Sequence, residues 1–358
     1  MIDSNEHRAA LMNIAKKLSK VRQGIAKNSE GEPSETYLEY LSLLYSSEEA
    51  EIVQHLENFP NIISVRKLSQ NLSRDKKELS KILEALSRKF YIMKAGGYAL
   101  PTPMMVYDAP FILKVNYNRK DIRKFAQLCR TFFEKENYYK SWETSYKGTP
   151  RTRILTVSEK IEPAHGIVPL EEVYSIIDQN TSFALVPCSC RQRMEIEGIR
   201  KCKDKYPILN CIILGSMAEG LLRLNDPVIR KATKEDVIKI CKEASELGLV
   251  HTTDNYAGPS TILCQCCECC CDLLAGLTRV GLQNPRAIAK ANYIATIKKE
   301  NCVACGTCLD RCKFNAIVVE DIAKIDEEKC MGCGLCAVTC PNDAIAMKRL
   351  ERELIPGA

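Results

Sequence analysis

The sequence has little that would identify an ordinary catalytic site. It contains one tryptophan and four histidines, and it has no run of 18 apolar residues of the kind that forms a transmembrane helix. The histidines, His7, His55, His165 and His251, lie far apart, and none belongs to a zinc-protease or nucleophile motif. No glycine fingerprint for a dinucleotide and no P-loop is present. The sequence therefore gives no support for bound flavin, nicotinamide or ATP, and we expect no hydride chemistry in the chain itself.

The overall composition is that of a globular protein. With 46% hydrophobic and 27% charged residues, the 358-residue chain is neither disordered nor fibrous, and it is long enough for two or three domains. Its first residues, MIDSNEHRAALMN, are polar where a signal peptide needs an apolar stretch. We therefore expect a cytoplasmic protein. Twenty cysteines in such a chain are better explained by metal binding than by disulfides.

A cysteine repeat occupies the C-terminal part of the chain. Residues 302–312 and 330–340 each carry four cysteines with the spacing C-x2-C-x2-C-x3-C, and the second run begins 28 residues after the first. Gly306 matches Gly334, and each glycine can adopt a positive φ that brings the backbone close to inorganic sulfide. Because thiolates are soft ligands that hold iron at the corners of a compact cluster, the repeat predicts iron–sulfur binding.

This repeat resembles the bacterial two-cluster ferredoxin. The resemblance implies that each 4Fe-4S cluster takes three cysteines from one run and the last cysteine from the other. The implied ligand sets are Cys302, Cys305, Cys308 and Cys340 for one cluster, and Cys330, Cys333, Cys336 and Cys312 for the other. A pair of zinc sites is the alternative, although zinc ribbons lack the third and fourth cysteines at these offsets.

Two charge effects follow from this resemblance. Lys313 stands where the first run would normally have a proline, so we expect a positive charge beside one cluster that favours its reduced form. The formal net charge of the chain is +6. Each cubane with four thiolates carries about 2−, so two clusters would reduce the net charge to about +2. This balance lowers the expectation of a nucleic-acid partner.

A second group of ten cysteines lies in the middle of the chain. They are Cys188, Cys190, Cys202, Cys211, Cys264, Cys266, Cys267, Cys269, Cys270 and Cys271. Six of them fall within eight residues and cannot all point into one core. We expect at least one further iron–sulfur cluster here, either two clusters or a larger non-cubane one; zinc and redox-active thiols are the alternatives. Arg191 either donates to cluster sulfide or forms a plain salt bridge.

The central cysteines also carry a resemblance. Their CSCR and CQCCECCC segments are similar to those of prokaryotic multi-cluster ferredoxin-like proteins that end in a two-cluster domain. This similarity spans roughly residues 180–350 and implies electron transfer without naming a substrate. Cys129 and Cys241 lie on apolar faces of predicted helices, so we expect both to be buried core thiols.

The N-terminal part has a different pattern. Residues 6–27 predict an amphipathic helix with Leu11, Ile14, Leu18, Val21 and Ile25 on one face. Short helical segments and a strand–turn–strand pattern follow and resemble a winged helix domain. If this domain bound DNA, the helix from Asp75 would enter the major groove. A role in packing or subunit contact is the alternative.

The predicted fold class is α+β with several domains. We expect an amphipathic helix and linker over residues 1–35 and a winged-helix-like domain over residues 36–105. A mixed α/β cysteine-rich domain would cover residues 106–290, and a ferredoxin-like βαβ repeat residues 291–350, followed by a tail over residues 351–358.

The predicted function is electron transfer by a non-catalytic subunit of an oxidoreductase complex. Its expected partners are other redox subunits or a flavoprotein that donate and accept single electrons. Two alternatives remain open: a redox- or oxygen-sensing regulator that binds DNA through the winged helix, and a reductase whose catalytic site is the central cysteine cluster.

Overall fold

The computed structural model describes residues 2–21, 24–136, 138–143, 150–157, 173–255, 258–279, 281–282 and 288–350. The chain divides into two compact units. Unit 1 contains residues 1–146 and 192–199, and unit 2 contains residues 147–191 and 200–358. In the described ranges, no helix is both long enough and apolar enough to span a bilayer.

Unit 1 is largely helical. Its helices are α1 (Asn5–Leu18), α2 (Glu35–Leu44), α3 (Ser47–Val53), α4 (Val65–Leu72), α5 (Lys76–Arg88), α6 (Pro103–Ile112), α7 (Lys114–Tyr117), α8 (Ile122–Arg130) and α9 (Tyr138–Glu143). Strands β1 (Met93–Lys94) and β2 (Tyr98–Ala99) pair in an antiparallel hairpin. Helices followed by a hairpin are therefore present in the range predicted to be winged-helix-like, and the winged helix assignment itself stays a prediction.

Helix α1 is shorter than the predicted range 6–27. It begins after Ser4, whose side chain accepts from the backbone of His7, and it ends at Leu18. Gly24 adopts a φ of 59°, which a right-handed helix cannot contain. The predicted apolar face nevertheless exists, because Leu11, Ile14 and Leu18 are fully buried.

An aromatic cluster forms the core of unit 1. The ring of Phe132 lies 5.6 Å from that of Tyr37 and 5.4 Å from that of Tyr40, both in edge-to-face geometry. Phe132 belongs to a π-helical turn (Thr131–Lys135) that continues α8. Cys129 is completely buried beside it, as expected for a core thiol. These helices lie within the range 106–290 predicted for the cysteine-rich domain, yet they group with unit 1.

Unit 2 combines a central sheet with the C-terminal cysteine repeat. Its strands are β3 (Thr152–Ile154), β4 (Phe183–Pro187), β5 (Leu209–Leu214), β6 (Arg230–Ala232), β7 (Val250–Asp254), β8 (Ile262–Cys266), β9 (Ile288–Ala289), β10 (Tyr293–Ile297), β11 (Ile317–Val319), β12 (Ala323–Ile325) and β13 (Ile345–Arg349). Its helices are α10 (Val173–Asp178), α11 (Ser189–Glu197), α12 (Gly215–Leu222), α13 (Lys234–Leu247), α14 (Ala275–Thr278), α15 (Thr307–Arg311) and α16 (Leu335–Val338); the unit boundary falls within α11.

The central sheet has seven strands in the order β6-β4-β5-β8-β7-β3-β9. All neighbouring pairs are antiparallel except β3 and β9. Helix α13 begins with a capping box between Thr233 and Asp236 and ends at Gly248, whose φ is 89°. Its Cys241 is buried in the core between helix and sheet, as expected.

The C-terminal repeat forms two small antiparallel sheets. Strand β10 pairs with β13, and β11 pairs with β12. Helices α15 and α16 each begin at the glycine of their cysteine run, Gly306 and Gly334, with φ values of 79° and 80°. A positive φ at these positions favours glycine. Each short helix begins at the residue after the glycine and contains the third cysteine of the run.

We predict that Ile14→Ala destabilises unit 1 by about 2–5 kcal/mol, because it removes a fully buried side chain that cannot be replaced by water. Ile62→Ala is the matched control, since Ile62 is 48% exposed, and it should cost less than about 1 kcal/mol. The midpoint of urea unfolding of the full-length protein, followed by far-UV circular dichroism, measures both effects. Equal midpoints for the two variants would contradict the predicted packing of α1.

Candidate metal centres

One cavity in the C-terminal repeat is lined by four cysteines that are separated in sequence. These are Cys302, Cys305, Cys308 and Cys340, around a volume of about 350 Å³. Apolar side chains of Ile297, Val319 and Ile345 complete the wall. Soft thiols around an apolar chamber suit an iron–sulfur cluster, because they bind iron while excluding water.

A second cavity of about 360 Å³ is lined by the other four cysteines of the repeat, Cys312, Cys330, Cys333 and Cys336. Desolvation raises the pKa of the Cys333 thiol to about 12. A thiol in this environment keeps its proton at neutral pH unless a metal ion replaces it. The donor set therefore fits a thiolate-bound metal cluster.

Backbone amides support the last cysteine of each run in the same way. The amide of Ala316 donates to Cys312 Sγ at 3.3 Å, and the amide of Ala344 donates to Cys340 Sγ at 3.2 Å. These alanines occupy equivalent positions in the repeat. Hydrogen bonds to ligand sulfur stabilise the thiolate and raise the reduction potential of a bound cluster.

Sequence reasoning missed Gly332. Its φ is 74°, and a Cβ added there would lie 2.2 Å from the carbonyl oxygen of Tyr293. The equivalent residue in the first run is Ala304, which adopts a φ of 53°. The cysteine spacing does not distinguish Gly332 from Ala304, because the need for glycine at position 332 comes from its contact with the backbone of β10. The signal available in the sequence was that the second run has a glycine where the first run has an alanine.

Lys313, which replaces the expected proline, contacts the central cysteine segment. Its Nζ lies 2.9 Å from Glu268 Oε1, and its side chain is only 9% exposed. Burial is the largest single effect and opposes the charge of this lysine, but its hydrogen bond to Glu268 and the attraction of Glu268 and Tyr206 together outweigh burial and raise the pKa of Lys313. Glu268 stands between Cys267 and Cys269, so the lysine connects the second cavity to the central cysteines.

The central sheet places three cysteines on one face. Ile212 pairs with Leu263, so the next pair along these antiparallel strands is Cys211 with Cys264. Cys266 follows two residues after Cys264 and therefore points to the same side. Gln265 points to the opposite side, where its Nε2 donates to Cys241 Sγ at 3.5 Å. The alternation of side chains along β8 therefore places the candidate ligands Cys264 and Cys266 on one side of the sheet and the core thiol Cys241 on the other.

Cys188 and Cys190 are brought to this face by strand β4. Cys188 follows the last residue of the strand, and its amide donates to the carbonyl of Ile208 at 2.8 Å. Cys190 lies in the first turn of α11. Its thiol is hydrogen-bonded to that of Cys271.

Four of the ten central cysteines form a compact group, the four-cysteine site. Its members are Cys202, Cys267, Cys269 and Cys270, whose sulfurs all lie within 4.8 Å of one another. Individual separations are 3.6 Å between Cys202 and Cys270, 3.6 Å between Cys269 and Cys270, and 3.9 Å between Cys267 and Cys269. Four thiolates around one tetrahedral ion at about 2.3 Å would be roughly 3.8 Å apart.

The other six cysteines are neighbours of one another, and we call them the six-cysteine ring. In order around the ring these are Cys188, Cys211, Cys264, Cys266, Cys271 and Cys190. Hydrogen bonds from Cys188 and Cys264 lower the pKa of Cys211 to about 6. Hydrogen bonds from Cys264 and Cys271 likewise lower the pKa of Cys266.

Arg191 is completely buried beside both groups. Its Nη1 donates to the carbonyl of Pro207 at 2.7 Å, and its Nη2 donates to the carbonyl of Gln265. Burial opposes its charge, but the attraction of Cys188 and Cys267 outweighs this effect and raises its pKa. A buried arginine that contacts cysteine sulfur is the arrangement expected beside an anionic metal–thiolate centre.

The histidines do not join these groups within the described part of the chain. His7 Nε2 lies 3.1 Å from the carbonyl oxygen of Tyr45 in unit 1. His251 Nε2 lies 2.7 Å from Ser245 Oγ of α13, the helix that contains Cys241. His55 is exposed, and His165 lies outside the described residues.

We predict that Gly332→Ala reduces the iron bound by the C-terminal repeat by at least half, because the new methyl group would collide with the backbone of β10. Gly96→Ala, outside the repeat, is the control. Gly96 has a similar positive φ of 75° but no atom within 4 Å of the added Cβ, so the substitution should cost only about 1 kcal/mol of backbone strain and leave the iron content unchanged. Iron analysis and electron paramagnetic resonance of the reduced protein measure the effect. Full iron content in Gly332→Ala would show that the contact with Tyr293 does not control the loop.

Comparison with known proteins gives one match. Residues 295–347 match the family model of a 4Fe-4S dicluster domain. No curated protein and no solved structure matches the chain. The C-terminal part of unit 2 is therefore similar to 4Fe-4S dicluster domains, in agreement with the iron–sulfur chemistry predicted from its cysteine spacing.

Proposed function

We propose that the protein is an iron–sulfur electron-transfer protein that relays single electrons within a larger oxidoreductase complex. The observation that carries the proposal is the pair of cavities, each lined by four cysteines, within the range that matches a dicluster domain. The proposed ligands are Cys302, Cys305, Cys308 and Cys340 for the first site, and Cys312, Cys330, Cys333 and Cys336 for the second site. When bound there, 4Fe-4S clusters would accept and donate one electron at a time.

The first site is the proposed contact with an external redox partner. Cys305 is exposed, and Thr307 lowers its pKa through a hydrogen bond from its hydroxyl group. Val303 and Leu309 beside it are also exposed, with Val303 at 65%. Electron transfer becomes slower with distance, so the site nearest the surface is the natural place for a donor or acceptor to dock.

The second site faces the interior of unit 2. The amide of Val157 donates to the carbonyl of Cys333 at 3.1 Å, and Thr156 Oγ1 donates to the carbonyl of Gly332 at 2.8 Å. Arg311 donates to the carbonyl of Ser245 at 2.8 Å, near the C-terminus of α13. These contacts support a fixed position of the second site against the end of β3 and the C-terminus of α13.

The ion pair between Lys313 and Glu268 supports a route between the second site and the central group. It joins the residue after Cys312 to the loop that carries Cys267 and Cys269. We propose that the central cysteines hold at least one further metal centre in this route. Partners would then be redox subunits or a flavoprotein that contact the exposed first site.

Anaerobically purified protein tests the proposal directly. We expect about eight irons and eight sulfides per chain from the C-terminal repeat alone, and further iron from the central group. Cys305→Ala and Cys333→Ala should each remove one of two reducible signals in the electron paramagnetic resonance spectrum. Colourless protein that contains zinc in the repeat and does not react with dithionite would contradict the proposed function.

We predict that Lys313→Met lowers the reduction potential of one cluster in the C-terminal repeat by tens of millivolts, because it removes a buried positive charge next to a cysteine ligand. Lys324→Met is the control. Its side chain is 58% exposed and pairs with Glu320 in solvent, where screening weakens its effect on the clusters. Redox titration followed by electron paramagnetic resonance gives both potentials. Equal potentials in wild type and Lys313→Met would contradict the role of Lys313.

A DNA-binding regulator is a second candidate function, favoured by the exposed face of α5. Lys76, Lys77 and Lys81 are exposed on this helix. Two of the three acidic residues near this face have structural roles: Asp75 caps the helix, and Glu84 binds Lys94 and Tyr98. They therefore do not exclude a phosphate contact.

This candidate predicts salt-dependent binding of duplex DNA that weakens roughly tenfold in Lys77→Ala/Lys81→Ala. Lys20→Ala, outside α5, is the control. Fluorescence anisotropy with labelled duplex at several salt concentrations measures the affinity. Undetectable binding at 50 mM salt, or equal binding by wild type and the double variant, would exclude operator recognition by α5 and leave electron transfer as the function.

A further inference from the structure

We propose that the ten central cysteines form two separate metal centres: a single tetrahedral ion in the four-cysteine site, and a polynuclear iron–sulfur centre in the six-cysteine ring. The cysteine spacing alone does not divide the ten into sets. This inference rests on the proposed iron–sulfur function for the identity of the metal in the ring, whereas the division into two sites rests on the positions of the sulfurs.

The chain itself separates the two sets at the end of β8. Cys266 is the last residue of the strand and points to the same side as Cys264, and the next residue, Cys267, points away from it. The following turn makes a second separation, because Cys270 contacts Cys202 whereas Cys271 bonds to Cys190. Neighbouring residues in the sequence therefore serve different sites.

The four-cysteine site has the dimensions of a single ion. Its measured sulfur separations, 3.6 to 3.9 Å, match the edge of a tetrahedron of thiolates around one ion, at roughly 3.8 Å. All four sulfurs lie within 4.8 Å of one another. A 4Fe-4S cube would stand between its four cysteine sulfurs and hold them further apart than a single ion does. The four-cysteine site thus fits one iron or zinc ion better than a cubane.

The six-cysteine ring has more thiols than one ion or one cubane can bind. A tetrahedral ion and a 4Fe-4S cube each take four thiolates. Five of the six thiols lie on or directly beside regular elements: Cys211 in β5, Cys264 and Cys266 in β8, Cys190 in the first turn of α11 and Cys188 just after β4. Cys271 lies in the turn that follows β8. Six thiolates that converge from these elements require a centre with several metal ions, and each thiol releases its proton when it binds.

Additional donors surround the ring as they would surround metal-bound sulfur. Thr252 Oγ1 lies 3.3 Å from Cys266 Sγ, and the amide of Asp272 donates to Cys190 Sγ at 3.4 Å. Arg191 places a buried positive charge between Cys188 and Cys211 of the ring and Cys267 of the four-cysteine site. Among the described residues, its buried Nε has no protein hydrogen-bond partner, so it remains able to donate to a bound sulfide.

Metal and sulfide analysis of anaerobically purified full-length variants tests the proposal. Cys269→Ala should lose one metal ion per chain, iron or zinc, and no sulfide. Cys264→Ala and Cys211→Ala should each lose several irons together with sulfide, and should retain the ion of the four-cysteine site. Cys241→Ala is the matched control, because this buried thiol lies on the opposite face of the same sheet, and its metal content should equal that of wild type.

The outcomes separate this proposal from the proposed function. Retention of the two C-terminal signals in electron paramagnetic resonance shows that each variant has folded. If Cys269→Ala and Cys264→Ala lost the same metals, the ten cysteines would form one centre and the proposal would be wrong. It would equally be wrong if both ring variants kept all their iron. Absence of the C-terminal signals from wild type would contradict the proposed electron-transfer function, while the central metal counts would still decide the division into two sites.

Discussion

Convergence of thiols from distant parts of the chain is the constraint on which unit 2 depends. Cys202 contacts Cys270 across 68 residues of sequence, and each C-terminal cavity takes cysteines from both runs of the repeat. Such sites cannot form locally, so the sheet and the repeat must fold before the sulfurs meet. Metal binding would then stabilise the folded unit, because the unfolded chain does not hold these thiols together.

Buried positive charge is the second feature that these sites share. Arg191 lies beside the central thiolates, and Lys313 is held at the edge of the second C-terminal site by Glu268. A buried cation is costly unless anionic groups surround it. The placement of both residues is therefore understandable if the neighbouring sites carry negative charge, as metal–thiolate centres do. The same charges would tune how readily each centre accepts an electron.

Local signals in the sequence were reliable where the physics is local. The core positions of Cys129 and Cys241 and the dicluster repeat all follow from short-range spacing. The helix predicted for α1 was too long, because apolar residues continue at helical spacing past Gly24. That spacing does not reveal the positive φ of Gly24, which is incompatible with a helix. Gly332 was missed for a related reason: its role comes from contact with Tyr293, which is distant in sequence.

The sequence by itself determined the chemistry of this protein, because cysteine type and spacing specify soft-metal binding whatever the surrounding fold. Only the tertiary structure decided which thiols act together. The pairing of β5 with β8 sets Cys211 beside Cys264, and the alternation of side chains along β8 turns Gln265 away from its two neighbouring cysteines. Strand register is a long-range property, so a crowded segment such as CQCCECCC can be divided between sites only after the sheet has formed.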